Sequence, residues 1–254
     1  YKRQRYVEGT CPHCNYESAR GDQCDDCGKT LDSKELINPR SKLNPDAKIE
    51  FRETEHLFFK LSEFRDVLLD WLSEGKEHWR SSVINFTRNW LKEGLIDRAV
   101  TRDLDWGIEI PREGYENKRM YVWFEAVMGY YSASVHWAKN QGKPDEWKKW
   151  WENEESEHYY FMAKDNIPFH TIIWPAMLSG CGYKLPYDVP ANEYLLLDSS
   201  QFSKSRRHAI WIPDYLDRYD PELLRFYLAS IMPEQKDANF TWEDYVTRIN
   251  TELI

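Results

Sequence analysis

The sequence has 254 residues and a formal net charge of -9 at pH 7. This length can form one large domain or two smaller ones, and 12 tryptophans and 16 tyrosines exclude an intrinsically disordered chain. The acidic balance argues against nucleic-acid binding by the whole surface, although a local basic site stays open. No apolar run reaches the length of a membrane span, and the opening YKRQRYVEGT contains no signal-peptide core. We therefore expect a cytoplasmic protein without membrane contact.

Two C-x2-C pairs lie in the stretch CPHCNYESARGDQCDDCG, namely Cys11 with Cys14 and Cys24 with Cys27. Two such turns aim four thiolates at one point, which suits a tetrahedral zinc ion. Four protein ligands leave no open position on the metal, so the predicted zinc is structural. Two disulfides are the alternative, and the absence of a secretion signal argues against them. The fifth cysteine, Cys181, is expected to be an inert, buried or semi-buried thiol rather than a nucleophile.

Two helices are predicted after a polar segment of loops and a short strand. Apolar residues recur at helical spacing over residues 61–72, and Gly75 can end that helix. The segment SSVINFTRNWLKEGL predicts a second helix that ends at Gly94. We interpret the apolar stripes of both helices as core packing.

The pattern then alternates between strands and helices. Strands are predicted at residues 120–124 and 159–162, each followed by a helix, the second of which covers residues 168–178. A third strand lies in NEYLLLDSSQF, and the remaining chain predicts helices, one with Pro221 in its first turn. This alternation indicates an α/β fold with a parallel sheet, whose ligands bind beyond the carboxyl ends of the strands. The residues expected near that crevice are Trp123, Glu125, Ala126, Lys164, Asp165 and Asn166.

The stretch SSQFSKSRRHAI, residues 199–210, is cationic and rich in serine although the chain is acidic. A solvated surface turn is one interpretation. A loop that binds polyphosphate is the other, because lysine and serine side chains both donate hydrogen bonds to phosphate oxygens. The residues alone leave both interpretations open.

Seven segments resemble the methionyl-tRNA synthetase family, archaeal type, when they are taken in order. They are RYVEGTCPHC with GDQCDDCG, RAVTRDLDWGIEIP, YVWFEA, KDNIPFHTIIWPAML, PANEYLLL, FSKSR and WEDYVTRIN. The resemblance implies an α/β class I synthetase fold, the second half of a Rossmann-like catalytic domain, with a zinc-knuckle insertion and C-terminal helices. It implies a knuckle insertion at residues 1–50, the catalytic half at 51–210 and a helical stem-contact region at 211–254.

The resemblance also implies a function and its residues. Family members activate methionine with ATP and Mg²⁺ to methionyl-adenylate and transfer the methionyl group to tRNA(Met). Lys204 matches the second lysine of the K-M-S-K-S loop and is the expected catalytic residue. The expected ATP-binding residues are Lys164, Asp165, Asn166, Ser203, Lys204 and Ser205. The expected methionine-binding residues are Trp123, Ala126, Tyr130 and His170. The cysteines that match the family's structural zinc knuckle are Cys11, Cys14, Cys24 and Cys27.

The sequence departs from the family pattern at five positions. Gln201 replaces the first lysine of K-M-S-K-S, Ala163 replaces a glycine and Val127 replaces a proline. Ser41 and Asn44 stand where relatives often carry a second C-x2-C pair, so a second zinc is not expected.

The family's H-I-G-H motif is absent from the sequence. We therefore expect that this chain needs the N-terminal half of the catalytic domain, in the same or a separate chain, to make methionyl-adenylate. Two other functions stay open. One is a non-enzymatic synthetase-like paralogue that binds tRNA, a nucleotide or a partner protein, and the other is an unrelated zinc-ribbon interaction module.

Overall fold

The computed structural model describes residues 7–20, 24, 27, 31, 33–44, 46–50, 53–204 and 206–254. Ser205, expected to bind ATP, lies outside these described residues. The strands are β1 (Val7–Thr10), β2 (Ala19–Arg20), β3 (Ile37–Ser41), β4 (Phe58–Phe59), β5 (Arg98–Ala99), β6 (Thr101–Asp103), β7 (Lys118–Met120), β8 (Met162–Ala163), β9 (Ala191–Asn192), β10 (Leu195–Leu197), β11 (Ser200–Gln201) and β12 (Ala238–Phe240). The helices are α1 (Arg65–Trp71), α2 (Ser81–Glu93), α3 (Val122–Asn140), α4 (Lys148–Trp151), α5 (Trp174–Gly180), α6 (Ile212–Leu216), α7 (Pro221–Ser230) and α8 (Trp242–Arg248).

The chain folds into two units. The first, here called the knuckle unit, consists of Tyr1–Phe58 and Ala99–Tyr121. The second, here called the helical unit, consists of Phe59–Arg98 and Val122–Ile254. The domain boundaries expected at residues 50 and 210 stay predictions.

The knuckle unit is built from short antiparallel strands. β1 lies between β2 and β3, and β6 pairs with β7. Two cysteines, Cys11 and Cys24, are fully buried in its small core with Ala19, Leu31 and Leu36. A core of this size gives little hydrophobic stabilisation. A cross-link between the cysteine sulfurs would therefore contribute a large share of the folding free energy of this unit.

The helical unit contains the parallel strand pairs expected of an α/β fold. β8 pairs in parallel with β9, and β10 pairs in parallel with β12. β10 also pairs antiparallel with β11 through a two-residue turn at Asp198 and Ser199. Both turn residues have positive φ, 46° and 64°, as the favoured tight hairpin turn requires. The parallel arrangement is confirmed, although these pairs belong to separate sheets among the described residues.

The helix predicted before Gly94 is confirmed as α2. Its buried residues Val83, Thr87 and Leu91 recur every four positions and therefore share one face. Gly94 ends the helix with φ of 100°, a backbone conformation that residues other than glycine rarely adopt. None of the described helices is both long and apolar enough to span a membrane.

The strand predicted at residues 120–124 is wrong for all but its first residue. β7 ends at Met120, and helix α3 begins at Val122. The sequence favours a strand there because valine and aromatic residues have high β propensity. Burial overrides that preference, since Phe124 and Val127 lie three positions apart on α3 and are both buried.

The C-terminal helices surround a second core. α7 begins at Pro221 as predicted, and the Asp220 side chain accepts a hydrogen bond from the amide of Glu222 at the start of the helix. Tyr227 from α7 and Phe240 from β12 are almost fully buried in this core, together with Leu197 from β10. This packing fixes the strand pair from which the cationic loop extends.

Candidate functional site

Four cysteine side chains converge in the knuckle unit. The Sγ atoms of Cys11, Cys14, Cys24 and Cys27 all lie within 4.8 Å of one another. The Cys14–Cys24 pair is 3.6 Å apart and the Cys11–Cys27 pair 3.9 Å, far longer than the ~2.05 Å of a disulfide. Both distances are close to the ~3.8 Å between sulfurs at the corners of a tetrahedron with ~2.3 Å zinc–sulfur bonds. The predicted cysteine set is therefore brought together and fits a metal ion.

The backbone around the first pair holds Cys11 in place. Its amide donates to the carbonyl of Tyr16 over 2.9 Å, and its carbonyl accepts from the amide of Asn15 over 3.0 Å. The amide of His13 donates to Cys11 Sγ over 3.4 Å. Burial raises the pKa of Cys11, but the hydrogen bonds from His13 and from the neighbouring cysteines lower it overall to about 7. A thiolate, the form that binds metal, is thus accessible near neutral pH at Cys11. A backbone hydrogen bond from Tyr16 lowers the pKa of Cys14, but burial and hydrogen bonds with the other cysteines raise it overall to about 12.

Helix α3 presents three of the expected pocket residues on one face. Trp123, Ala126 and Tyr130 are separated by three and four positions, so they lie on successive turns of the same side. Tyr130 is 43% exposed, although α3 buries Phe124 and Val127. An exposed aromatic face of this kind is available to a ligand.

His170 joins this face through a hydrogen bond that fixes its tautomer. Its Nδ1 lies 3.0 Å from the carbonyl oxygen of Asn166, which can only accept, so Nδ1 carries the proton. Nε2 lies 2.9 Å from the hydroxyl of Tyr130. Burial lowers the pKa of His170, and the hydrogen bond to Asn166 only partly opposes this. The ring is therefore neutral near pH 7, and its Nε2 accepts a hydrogen bond from the hydroxyl of Tyr130.

Phe169 belongs to this face but was missed by sequence reasoning. Its ring stacks on Trp123 with 4.0 Å between centroids and 13° between planes. The residue lies in a π-helical turn, Phe169–Ile173, which places it beside His170. Its position next to the predicted His170 was the only available signal. Together these side chains form an aromatic wall, which comprises Trp123, Ala126, Tyr130, Phe169 and His170.

The buried, neutral state of His170 predicts a pH dependence of stability. Because burial lowers the folded-state pKa below the unfolded value of 6.5, protonation favours the unfolded chain. The contribution of the neutral ring is complete above pH 6.5 and is lost as the pH falls toward the lowered pKa. Denaturant unfolding at a series of pH values should show that His170→Gln has a smaller loss of stability on acidification than the wild type.

The control for this measurement is His136→Gln, which replaces an exposed histidine on α3. That variant should follow the wild-type curve. Parallel curves for His170→Gln and wild type below pH 6.5 would contradict the assignment of a neutral His170.

The polar turn Lys164–Asn166 follows β8 directly. Asp165 is exposed, and one of its oxygens accepts from the side-chain amide of Asn166 over 3.2 Å. Lys164 forms ion pairs with Glu193 over 2.6 Å and with Asp237 over 2.7 Å. Hydrogen bonds to Asp237 and Glu193 raise the pKa of Lys164, so its ammonium stays charged. Its expected contact with ATP stays a prediction.

The cationic loop is a tight turn beyond β11. Ser203 and His208 exchange two backbone hydrogen bonds of 2.9 and 3.0 Å, which bring the two sides of the loop together. The carbonyl of Lys204 accepts from the amide of Arg207 over 3.2 Å. The side chain of Lys204 is exposed between these fixed ends. An exposed lysine on a short, anchored loop can approach an anionic group on a bound ligand.

Comparisons with known proteins agree on one family. The family model described as tRNA synthetases class I (M) matches residues 1–254. The methionine–tRNA ligase of Dehalococcoides mccartyi is 59% identical over 251 residues, which are 98% of this chain and 45% of the relative. The methionine–tRNA ligase of Thermomicrobium roseum is 56% identical over 252 residues, 98% of this chain and 43% of the relative.

Solved structures show the same fold. The crystal structure of Mycobacterium tuberculosis methionyl-tRNA synthetase bound by methionyl-adenylate superposes with a TM-score of 0.67 and 24% identity. It covers 88% of this chain and 43% of its own. The class I synthetase fold expected from the sequence is thus confirmed, and the chain spans less than half the length of the curated relatives that it matches. The chain belongs to the methionyl-tRNA synthetase family of class I aminoacyl-tRNA synthetases.

Proposed function

We propose that the protein is a cytoplasmic methionine–tRNA ligase and that this chain supplies part of its catalytic domain. The observation that carries this proposal is the aromatic wall on α3 and its neighbour His170. The wall lies in the same unit as the Lys164–Asn166 turn and the Lys204 loop. By the family resemblance, four of its residues match the methionine pocket, namely Trp123, Ala126, Tyr130 and His170, in a chain 59% identical to a methionine–tRNA ligase.

The proposed reaction has two steps. A carboxylate oxygen of methionine attacks the α-phosphorus of ATP, and the bond to the pyrophosphate oxygen breaks. The products are methionyl-adenylate and pyrophosphate, the latter released with Mg²⁺. A hydroxyl at the 3′ end of tRNA(Met) then attacks the activated carbonyl and displaces AMP. The half of the catalytic domain that carries H-I-G-H is the expected partner of this chain in the first step.

The aromatic wall suits the side chain of methionine. Its thioether is polarizable and makes favourable contacts with aromatic rings, such as those of Trp123 and Phe169. A weak hydrogen bond from Tyr130 or His170 to the sulfur is a further expectation. In the observed arrangement both of these protons are already donated, one to His170 Nε2 and one to Asn166. We infer that shape and polarizability contribute most of the recognition, and that a bond to sulfur needs the Tyr130 hydroxyl to turn.

The ribose of the nucleotide is proposed to bind at Asp165 in the turn, and its phosphates at the cationic loop. Asp165 is exposed and can accept hydrogen bonds from ribose hydroxyls. The ammonium of Lys204 is proposed to stabilise negative charge that develops on the leaving pyrophosphate. The hydroxyl of Ser203 can donate to a phosphate oxygen when the loop closes on ATP.

The metal in the knuckle unit is proposed to be structural zinc. Four thiolates in a closed set select zinc over harder cations, and they leave no coordination site for substrate. The zinc therefore stabilises the fold of the knuckle and takes no part in the chemistry.

Two departures from the family pattern are accommodated by the structure. Ala163 has φ of -95° and ψ of 159°, an extended conformation that any residue adopts, so glycine is not needed there. Val127 is buried inside the continuous helix α3, where its side chain packs in the core with Trp151 and Trp174. Only Gln201, an exposed residue on β11, removes a charge from the proposed site. These contacts favour the ligase over the non-enzymatic paralogue.

The experiment is methionine-dependent exchange of pyrophosphate into ATP by the full-length protein, meaning this chain in its complete natural reading frame. We expect exchange with methionine and charging of tRNA(Met), but no exchange with leucine or norvaline at equal concentration. Binding of tRNA without any methionine-dependent exchange would identify the non-enzymatic paralogue instead.

A further inference from the structure

β10, the strand that leads to the cationic loop, is held by contacts at its start as well as at the hairpin turn that follows it. β10 pairs in parallel with β12, with Leu195 opposite Ala238 and Leu197 opposite Phe240. Parallel strands begin at the same end of a sheet, so the residues that precede both strands lie side by side. Asp237 directly precedes β12, and Glu193 lies two positions before β10.

Lys164 joins these two carboxylates. Its Nζ donates to Glu193 over 2.6 Å and to Asp237 over 2.7 Å. Asp237 also accepts from the backbone amide of Tyr194 over 2.8 Å. The ammonium lies 4.3 Å from the centroid of the Tyr194 ring. Two of its three N–H groups are thus bound to carboxylates, and the charge is further stabilised by the aromatic face.

The far end of the strand pair holds the hairpin turn before the loop. The Asn239 side-chain oxygen accepts from the amide of Ser199 over 2.7 Å, and the carbonyl of Phe240 accepts from the amide of Asp198 over 3.0 Å. A shift of β12 relative to β10 would therefore move the turn. The loop that carries Lys204 follows β11, which this turn connects to β10.

Lys164 is also linked to the aromatic wall. It begins the turn whose Asn166 carbonyl accepts from His170 Nδ1 over 3.0 Å. A continuous set of hydrogen bonds and strand pairs thus extends from His170 through Lys164 to the start of β10 and β12. All of it lies within the helical unit.

We propose that Lys164, Glu193 and Asp237 form a clip of positioning residues, here called the Lys164 clip. The clip fixes the position of the cationic loop, which carries Lys204, relative to the aromatic wall. This inference rests on the proposed function. It replaces a direct contact of Lys164 with ATP, because the two carboxylates outnumber the single ammonium and would oppose a nearby phosphate. The clip acts on catalysis through strand register, since a misplacement of about 1 Å can cost about 100-fold in rate.

The first test reads structure without activity. Asp237→Asn removes one ion pair yet keeps an oxygen that can accept from the Tyr194 amide. In the full-length protein we expect amide hydrogen exchange of a peptide covering residues 195–208 to become about two- to fivefold faster, as for loss of one partly exposed ion pair. Glu193→Gln, which removes the other ion pair, should do the same. The control Glu222→Gln makes the same charge change in an exposed pair with Arg225 on α7 and should leave this peptide unchanged.

The second test separates positioning from ATP binding. If the clip positions the loop, Lys164→Met and Asp237→Asn should each lower kcat for pyrophosphate exchange about tenfold, with less than about a twofold change in KM for ATP. The double variant should be no slower than the slower single variant, because both changes break the same contact.

Two results would overturn the clip. One is a large rise in KM for ATP in Lys164→Met that Asp237→Asn does not share, which would return Lys164 to the nucleotide. The other is unchanged amide hydrogen exchange of residues 195–208 in both Asp237→Asn and Glu193→Gln, when thermal unfolding shows that these variants are folded. If the full-length protein has no pyrophosphate-exchange activity, the proposed function fails, while the amide hydrogen exchange still decides whether the clip exists.

Discussion

Replacing Cys24 by serine in the full-length protein is expected to abolish stoichiometric zinc binding and to unfold the knuckle unit. Cys24 is fully buried, and its sulfur lies 3.6 Å from that of Cys14 within the four-sulfur cluster. Structural zinc sites of this type contribute about 10–16 kcal/mol of apparent binding free energy, which becomes folding free energy when no preformed site exists. Metal analysis should give one zinc per wild-type chain and less than one tenth of that in the variant.

The chain supplies a matched control in its fifth cysteine. Cys181 is exposed, so its expected burial is wrong. It lies in the helical unit, outside the cluster, so Cys181→Ser should keep one equivalent of zinc. Limited proteolysis should show new cleavage within residues 7–50 for Cys24→Ser only. A wild-type protein without zinc under reducing conditions would contradict the assignment. Two equivalents would show that the substitutions at Ser41 and Asn44 do not exclude a second ion.

The cysteine cluster could be predicted from sequence because its ligands are local. Each pair is separated by two residues, and such a turn can place both sulfurs on one ion. The same holds for α7, whose start is specified by Asp220 and Pro221, and for α2, whose end is specified by Gly94. Within each cysteine pair and at each of these helix ends, the determining interaction lies within a few residues of the position that it fixes.

The start of α3 and the wall could be predicted only in part. Valine and aromatic residues at 122–124 favour a strand, and the helix forms because burial of Phe124 and Val127 contributes more than local propensity. Trp123 and Tyr130 were identified through the family resemblance. The stacking of Phe169 on Trp123 depends on a π-helical turn that no local pattern specifies.

The partners of Lys164 could not be predicted at all. Glu193 is 29 positions away along the chain and Asp237 is 73 positions away, so only the tertiary fold brings them together. The tight turn at Asp198 and Ser199 was also hard to identify in detail, because it has positive φ at two residues that are neither asparagine nor glycine. Asn239 compensates by accepting the amide of Ser199. Long-range hydrogen bonds thus determine what the sequence leaves open.

Replacing Lys204 by alanine in the full-length protein is expected to slow methionyl-adenylate formation with little change in methionine affinity. The side chain is exposed at the end of an anchored turn, and its proposed contact is with charge that grows on the leaving pyrophosphate. Loss of a cation that acts mainly in the transition state lowers kcat. For a single charge-stabilising group the activation free energy rises by about 2–4 kcal/mol. Pyrophosphate exchange measures kcat, and its dependence on methionine concentration gives KM for the amino acid.

Two further variants distinguish this role from a general effect of positive charge. Lys92→Ala removes an exposed lysine from the last turn of α2 and should leave exchange unchanged. Gln201→Lys restores the cation that the family carries at the first position of the loop, and it should speed adenylate formation if charge at this edge limits the rate. Wild-type exchange by Lys204→Ala would show that the loop is a solvated surface turn. A rise in KM for methionine at unchanged kcat would place Lys204 in ground-state binding rather than in the transition state, because uniform binding energy does not alter the chemical step.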